Sequence, residues 1–388
     1  MHPFEKLHKL NEALTDFYVE REDVCQTAIL ALVSRQHHLQ IGPPGTAKSA
    51  IVYSITRAIT GASIFDILMT RTMNPDELFG PVSLKGMEED DFRRCPEGFL
   101  PEANIAFFDE AEKTSDAVRF SLLQVMNERK VRNGKHHIHI PIISAFLGMN
   151  KLFEEFEEDP IYSRVLFRHY VNYVQEKDNF DKMLTESCLN NNTGPHTENI
   201  GLTKQDLVVA HEIAMQVNVD RVAMDCMWEI RSSLKEEGFT VDDRKCVWLV
   251  RAAVRAQAAL SGRDIVESED FEILQHCLWN DPNDRAKIRS IVLKIANPTG
   301  EEANQYIDSA HQCYNKAMKF KKDNPEDTKE VQMQWLSANR EVVLMGNRLK
   351  DRVKETSGKS RKMLEDGLLK VGNMNEKILA ELKATKIQ

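Results

Sequence analysis

Gly42-Pro43-Pro44-Gly45-Thr46-Ala47-Lys48-Ser49 joins a short run, His38 to Ile41, to a stretch whose Ile51, Val52, Ile55, Ala58 and Ile59 mark one helical face. A loop rich in glycine and proline between a strand and a helix can curl so that its backbone N–H groups face phosphate oxygens. The helix N-terminus adds its dipole. At this spacing the Lys48 ammonium reaches the β- and γ-phosphates and the Ser49 hydroxyl binds Mg2+. The strict pattern has glycine where Ala47 stands; alanine is small enough for a helix start. Taken alone, the octet has one bland alternative, a chance Gly/Pro turn.

A second signal lies downstream. Asn104-Ile105-Ala106-Phe107-Phe108 reads as a buried strand that ends in Asp109-Glu110. A carboxylate at a strand end beside a phosphate loop can hold hydrated Mg2+, which suits Asp109. Glu110 can then polarise an attacking water. The alternative is a solvated acidic turn before a helix capped by Ser115.

Around these signals, residues 1–174 alternate strands and helical periods, as an α/β domain does. Ile64 to Met69 and Ile142 to Met149 read as further strands, and Val118, Leu122 and Val125 share a helical face. Asn133-Gly134 lies between Lys130-Val131 and Ile138-His139-Ile140, a hairpin signal, because Asn-Gly accepts the positive φ of a tight turn. His136, His137 and His139 lie on that hairpin without an accompanying carboxylate or cysteine, so they read as a solvated face. Residues 175–296 read as helical throughout, with a polar loop at Asn190 to Pro195.

Residues 297–388 are helical too, with breaks near Asp323-Asn324-Pro325 and Thr356-Ser357-Gly358. Trp335, Val342, Leu349 and Val353 recur at near-heptad spacing. Leu364, Leu368, Val371, Ile378 and Leu382 follow, with Asn375 at one seam position. The expectation is an antiparallel helical hairpin over about Asp327 to Gln388, used for docking a partner or a neighbouring subunit, or packed as a self-contained extension.

Composition narrows the class. A chain of 388 residues has room for two or three domains. Its net charge of -9 argues against general phosphate-backbone binding, although the part from Asn297 onward carries +3 against -12 in the rest. Cys25, Cys95, Cys188, Cys226, Cys246, Cys277 and Cys313 are scattered without a CxxC pair, which suggests neither a zinc knuckle nor a disulfide framework. No apolar run is long enough to span a bilayer, and the N-terminal stretch lacks a signal peptide's apolar core. The expected location is cytoplasmic.

GPPGTAKS followed by FFDEAEK resembles the MoxR group of AAA+ ATPases, RavA-type members in particular. The resemblance extends through Leu68 to Leu84, Glu97 to Glu110, Leu122 to Gly134, Tyr162 to Arg168 and Val241 to Arg263. It implies an AAA+ P-loop core at 1–174, with a parallel sheet covered by helices on both faces. An all-α lid at 175–296 and a helical extension at 297–388 would follow. It implies that Asn150 takes the sensor-1 position and helps orient the water, a turn asparagine being the alternative. Arg164 would be the arginine finger that reaches a neighbouring subunit's nucleotide, with Arg168 as competitor. Arg244 would be sensor 2, with Lys245 as the alternative. The segment Phe79 to Pro101 resembles the insert in the second helix of this clade, and the Arg129 to Ile140 hairpin resembles the insert before sensor 1. Both would project toward a pore or substrate. RavA's late β-rich domain has no counterpart in the helical region after Asn297.

The resemblance therefore implies ATP and Mg2+ as cofactors, hydrolysis to ADP and phosphate, and a ring, by family a hexamer. It implies a protein client to remodel or activate, with a von Willebrand A domain protein as the expected partner. An ATP-dependent binding switch with little turnover is the alternative. A nucleic-acid motor is disfavoured by the acidic core and the lack of an appended helix-turn-helix or zinc module.

Overall fold

A computed structural model describes residues 2–152, 160–186, 194–324, 328–356 and 358–385. Cys188, Asn190 to Thr193, Pro325, Asp327, Ser357 and Gln388, named above, lie outside the described residues. The chain divides into two compact units, Met1–Arg289 and Ser290–Gln388. Among the described residues no helix is long and apolar enough to cross a membrane.

The first unit opens with α1 (Pro3–Phe17) and α2 (Glu22–Ser34). Phe4, Leu7, Leu10 and Leu14 form the buried stripe of α1, spaced at three and four residues as one helical face requires. α2 is buried on nearly every face. The elements that follow are β1 (His37–Ile41), α3 (Lys48–Arg57), β2 (Ile59–Thr60), β3 (Ile64–Leu68), α4 (Pro75–Phe79), α5 (Leu84–Glu88), β4 (Ile105–Asp109), α6 (Asp116–Glu128), β5 (Lys130–Asn133), β6 (His136–His139), β7 (Ser144–Met149), α7 (Pro160–Arg164) and β8 (Val165–Tyr170).

Five strands form one sheet in the order β3-β4-β7-β1-β8, with every neighbouring pair parallel. All five residues of β1 are buried, as a strand covered on both faces demands. One of its polar members, His37, is bonded through both ring nitrogens. His37 Nε2 meets Met126 O at 3.0 Å while its Nδ1 accepts from Ala145 N, also at 3.0 Å. Burial drives this imidazole's pKa down to about 4. Because β1 lies between strands that come later in the chain, the loop leaving it opens into the crevice at a topological switch point, where such sheets bind ligands.

The helical part continues with α8 (Lys177–Leu184), β9 (Leu202–Thr203), α9 (Lys204–Gln216), α10 (Arg221–Glu236), α11 (Asp243–Trp248), a π-helical stretch at Leu249–Val254, and α12 (Arg255–Leu260). This part is therefore not helical throughout. β9 pairs in parallel with β2 and ties the helices to the α/β core. The N-terminal helices join them as well. Lys6 Nζ pairs with Asp206 at 2.8 Å, His8 Nε2 meets Leu260 O at 2.8 Å, and His211 Nδ1 meets Val33 O at 2.8 Å.

The unit boundary falls within α13 (Arg285–Ala296). Among its described residues the second unit has three long helices, α14 (Pro298–Asp323), α15 (Thr328–Glu355) and α16 (Gly358–Thr385), divided near the two breaks that the sequence marks, and α14 packs on the pair α15 and α16. Trp335, Val342 and Leu349 of α15 and Leu364, Val371, Ile378 and Leu382 of α16 are buried together. α14 adds Ala303, Ala310 and Ala317, a seven-residue repeat of small side chains. Close approach is visible at Gly367, where an added Cβ would lie 3.1 Å from that of Ala303. Asn339 Nδ2 donates to Asn375 Oδ1 at 2.8 Å across the α15–α16 seam, so the seam asparagine has a polar partner there.

Candidate active site

The loop 42–47 leaves the buried end of β1 and feeds directly into α3. Gly42 packs so closely on Val171 that a side chain there would strike the Val171 carbonyl. Ala47 stands at the N-cap of α3 with φ 67°, in the left-handed region. The strict motif's glycine is thus explained by backbone conformation more than by size. Ala47→Gly removes a left-handed penalty of about 1 kcal/mol and raises the melting temperature by about 2 °C. A calorimetric scan checks this, and a lower melting temperature would contradict it.

Lys48 is buried, and its ammonium donates to Gly42 O at 2.6 Å, to Pro43 O at 2.9 Å and to Asn150 Oδ1 at 3.3 Å. Desolvation lowers its pKa, opposed by the nearby carboxylates of Asp109, Glu112 and Glu110. Ser49 Oγ donates to Asp109 Oδ2 at 3.0 Å. Asp109 ends β4 and has room because its neighbour on β7 is Gly148; a Cβ there would come within 2.9 Å of Asp109 Oδ1.

Glu110 follows with φ 53°, a conformation non-glycine residues seldom adopt and one that clusters at functional sites. Its Oε1 accepts from Asn150 Nδ2 at 3.4 Å, and Lys113 Nζ binds its Oε2 at 2.5 Å. Asn150 N also donates to Glu112 Oε1 at 3.2 Å. Lys48, Asn150 and Glu110 therefore form one connected chain, with the Ser49–Asp109 pair beside it. A hydroxyl and a carboxylate oxygen 3.0 Å apart make a hard-donor set that fits Mg2+.

Next to the loop lies a cavity of about 430 Å³ that local sequence patterns do not announce. Arg21, Tyr170, Val171, His276, Trp279 and Arg285 line it. Arg21 links it to the loop, donating to Thr46 O at 3.3 Å and Asn172 O at 2.5 Å. The Arg285 guanidinium lies 4.7 Å from the Tyr170 ring centre. These residues come from three distant stretches; the only hint in the chain is the polar-aromatic end of β8.

Arg164 and Arg244 stand elsewhere. Arg164 immediately precedes β8, whose first residue, Val165, pairs with His37 at the start of β1. Five residues of strand separate that end of the sheet from the phosphate loop, about 16 Å at 3.3 Å per residue. Both arginines line a second cavity, of about 290 Å³, together with Arg35, Arg129 and Lys245. Arg244 is exposed and its Nη2 reaches Asn127 Oδ1 at 3.4 Å. Lys245 is half-buried, and desolvation, then the Arg168 guanidinium, draw its pKa down to about 7. Arg168 is fully enclosed. Its guanidinium donates to the carbonyls of Trp279, Tyr162 and Val165 and to Asn280 Oδ1, so it braces β8 against the helical part.

A five-stranded parallel sheet of this order, a phosphate loop after its interior strand β1, and Asp109-Glu110 at the end of β4 define a P-loop ATPase fold of the AAA+ class. Residues 5–211 match the family model of the MoxR domain in the MoxR-vWA-beta-propeller ternary systems, and residues 223–292 match an AAA lid domain. The chain belongs to the MoxR family of AAA+ ATPases.

Relatives agree. MJ0812, an uncharacterized protein of Methanocaldococcus jannaschii, is 32% identical over 82% of this chain and 83% of its own length. Chaperone MoxR1 of Mycobacterium tuberculosis is 26% identical over 70% of this chain and 76% of its own. A crystal structure from Cytophaga hutchinsonii, described as that of a candidate ATPase, superposes with a TM-score of 0.58 at 17% identity. It covers 76% of this chain and 94% of that one, a likeness of fold.

Proposed function

We propose that this chain hydrolyses ATP to ADP and phosphate with Mg2+ and uses the cycle to remodel or activate a partner protein. One observation carries the reading: the catalytic set is divided between the two ends of one sheet. Lys48, Ser49, Asp109, Glu110 and Asn150 gather at one end, and Arg164 with Arg244 lies at the other. Each site is therefore completed by a second copy arranged head-to-tail, the geometry that closes rings. A hexamer is the ring the family resemblance suggests.

In this reading Gly42 to Ser49 wrap the phosphates and Lys48 exchanges its loop carbonyls for phosphate oxygens. The cavity beside the loop takes the base. Ser49 and Asp109 hold Mg2+, which when bound neutralises phosphate charge. Glu110 accepts the proton of the attacking water, held in line by Asn150. The neighbour's Arg164 then stabilises charge on the transferring phosphoryl group, and Arg244 acts from the same side. Residues 1–174 serve as nucleotide-binding core, 175–296 as lid and 297–388 as a helical extension.

A protein client suits the insert after α4, which exposes Leu84 and Phe92 at 79% and 70%. The family model's own description names von Willebrand A systems, so a von Willebrand A domain protein is the partner we assign. The test is co-purification with tagged Glu110→Gln in ATP. A ring-sized assembly retaining a von Willebrand A domain protein is the expected result. Recovery of nucleic acid alone would overturn the client assignment.

A further inference from the structure

Two inserts leave the α/β core of the first unit: the segment around α5, and the β5–β6 hairpin. The hairpin turns at Gly134-Lys135, since Asn133 already pairs with His136. Only the glycine of Asn133-Gly134 takes a positive φ, 60°. Asn133 does something else. Its Oδ1 accepts from Arg94 N at 2.5 Å and its Nδ2 donates to Arg94 O at 3.3 Å, so one side-chain amide grips both backbone groups of a residue in the other insert. Beside it, Lys135 N donates to Asp91 Oδ1 at 3.1 Å, and any side chain at Gly134 would run into that carboxylate.

The α5 insert is closed on itself at its root. Val82 and Arg94 form an antiparallel bridge, Ser83 N donates to Arg93 O at 2.8 Å, and Cys95 N donates to Pro81 O at 2.9 Å. The Arg94 guanidinium binds the Asp76 carboxylate and, at 2.8 Å, Gly80 O, which fixes the root to α4. One helix then carries both inserts. At the N-terminus of α6, Ser115 Oγ donates to Met73 O at 3.1 Å, just before α4. At its C-terminus α6 runs through Arg129 into β5. The path α6, α4, insert, turn, hairpin and back to α6 is a closed loop of structure, and a closed loop resists independent motion of its sides. Three residues before α6's first residue, Lys113 holds Glu110 at 2.5 Å.

The geometry points to the two inserts moving as one body on α6, with Asn133 and Gly134 as the positioning residues that join them. When Glu110 changes partner during the nucleotide cycle, the shift passes through Lys113 to α6 and reaches both inserts together. The exposed Leu84, Met87 and Phe92 are then presented to a client in step with the hairpin. The drive rests on the hydrolysis reading above; the joint does not.

Hydrogen exchange on the full chain separates the two. Asn133→Ala removes the amide grip without backbone strain, and Gly134→Val adds both strain and a collision with Asp91. In each, without nucleotide, amides of residues 81–95 exchange about tenfold faster while β1, β4 and β7 keep their protection. In a Glu110→Gln background, ATP with Mg2+ changes protection in 81–95 and 130–139 over the same concentration range. Adding Asn133→Ala leaves the response in the hairpin and moves that of the insert, still tied to α6 through α4, to a different concentration range, which a purely structural contact would not do. Unchanged exchange of 81–95 in both variants overturns the joint, as does a different ATP dependence of the two segments with the turn intact. If ATP alters exchange nowhere, the nucleotide reading fails instead, and the nucleotide-free rates still judge the joint.

Discussion

Replacing Glu110 with glutamine lowers ATP turnover by about 100-fold or more while leaving ATP affinity within a few-fold of the parent, the scale expected for a lost general base. The side chain keeps its size and its place beside Asn150, and the Ser49–Asp109 pair is untouched. Only the ability to take a proton goes. Lys48→Ala behaves differently. It removes the ammonium that meets both Gly42 O and Asn150 Oδ1, so nucleotide binding itself weakens. Phosphate release and equilibrium binding of a fluorescent nucleotide read the two effects separately. Undiminished hydrolysis in Glu110→Gln would remove Glu110 from the mechanism. In the parent protein the Lys113 ammonium lies 2.5 Å from Glu110 Oε2, while Oε1 faces Asn150.

Arg164→Ala lowers turnover by about 1,000-fold, within the range an arginine supplied in trans contributes to phosphoryl transfer. Its distance from the chain's own phosphate loop makes the loss conditional on assembly. Mixing Arg164→Ala with Lys48→Ala subunits restores part of the activity, because some interfaces pair an intact loop with an intact arginine. Turnover of mixtures across subunit ratios checks this. An isolated monomer as active as the assembly would sink it. Arg168→Ala gives another outcome. Its buried guanidinium holds carbonyls from α7, β8 and the residue before Asn280, so its loss shows as a lower melting temperature.

The α/β class and the phosphate loop were legible because their chemistry is local. A strand, a glycine-rich turn and a helix start are contiguous, and Asp109-Glu110 ends an unbroken apolar run. β8 escaped detection because Arg168 and His169 interrupt its apolar pattern, and only the fold supplies the carbonyls that make an arginine tolerable inside. The cavity beside the loop was hidden for the same reason, as its walls are assembled from residues near 20, 170 and 280. The company Arg244 keeps also depends on tertiary placement. In the second unit the large apolar stripes of α15 and α16 stood out, whereas the contribution of α14 is a line of alanines, which hydropathy scarcely registers. The sequence marks Asn133 for its backbone, while the structure engages its side chain.

The ties between the chain's beginning and its helical part bear on how the protein emerges from the ribosome. His8 bonds to Leu260, 252 residues later, and Lys6 pairs with Asp206, 200 residues later. At about 5–20 residues per second, the first helix waits on the order of ten seconds or longer for those partners to be made. Throughout that wait the stripe of Phe4, Leu7, Leu10 and Leu14 has only part of its cover, from α2 and α3, so a nascent-chain chaperone has both the time and an apolar target to engage.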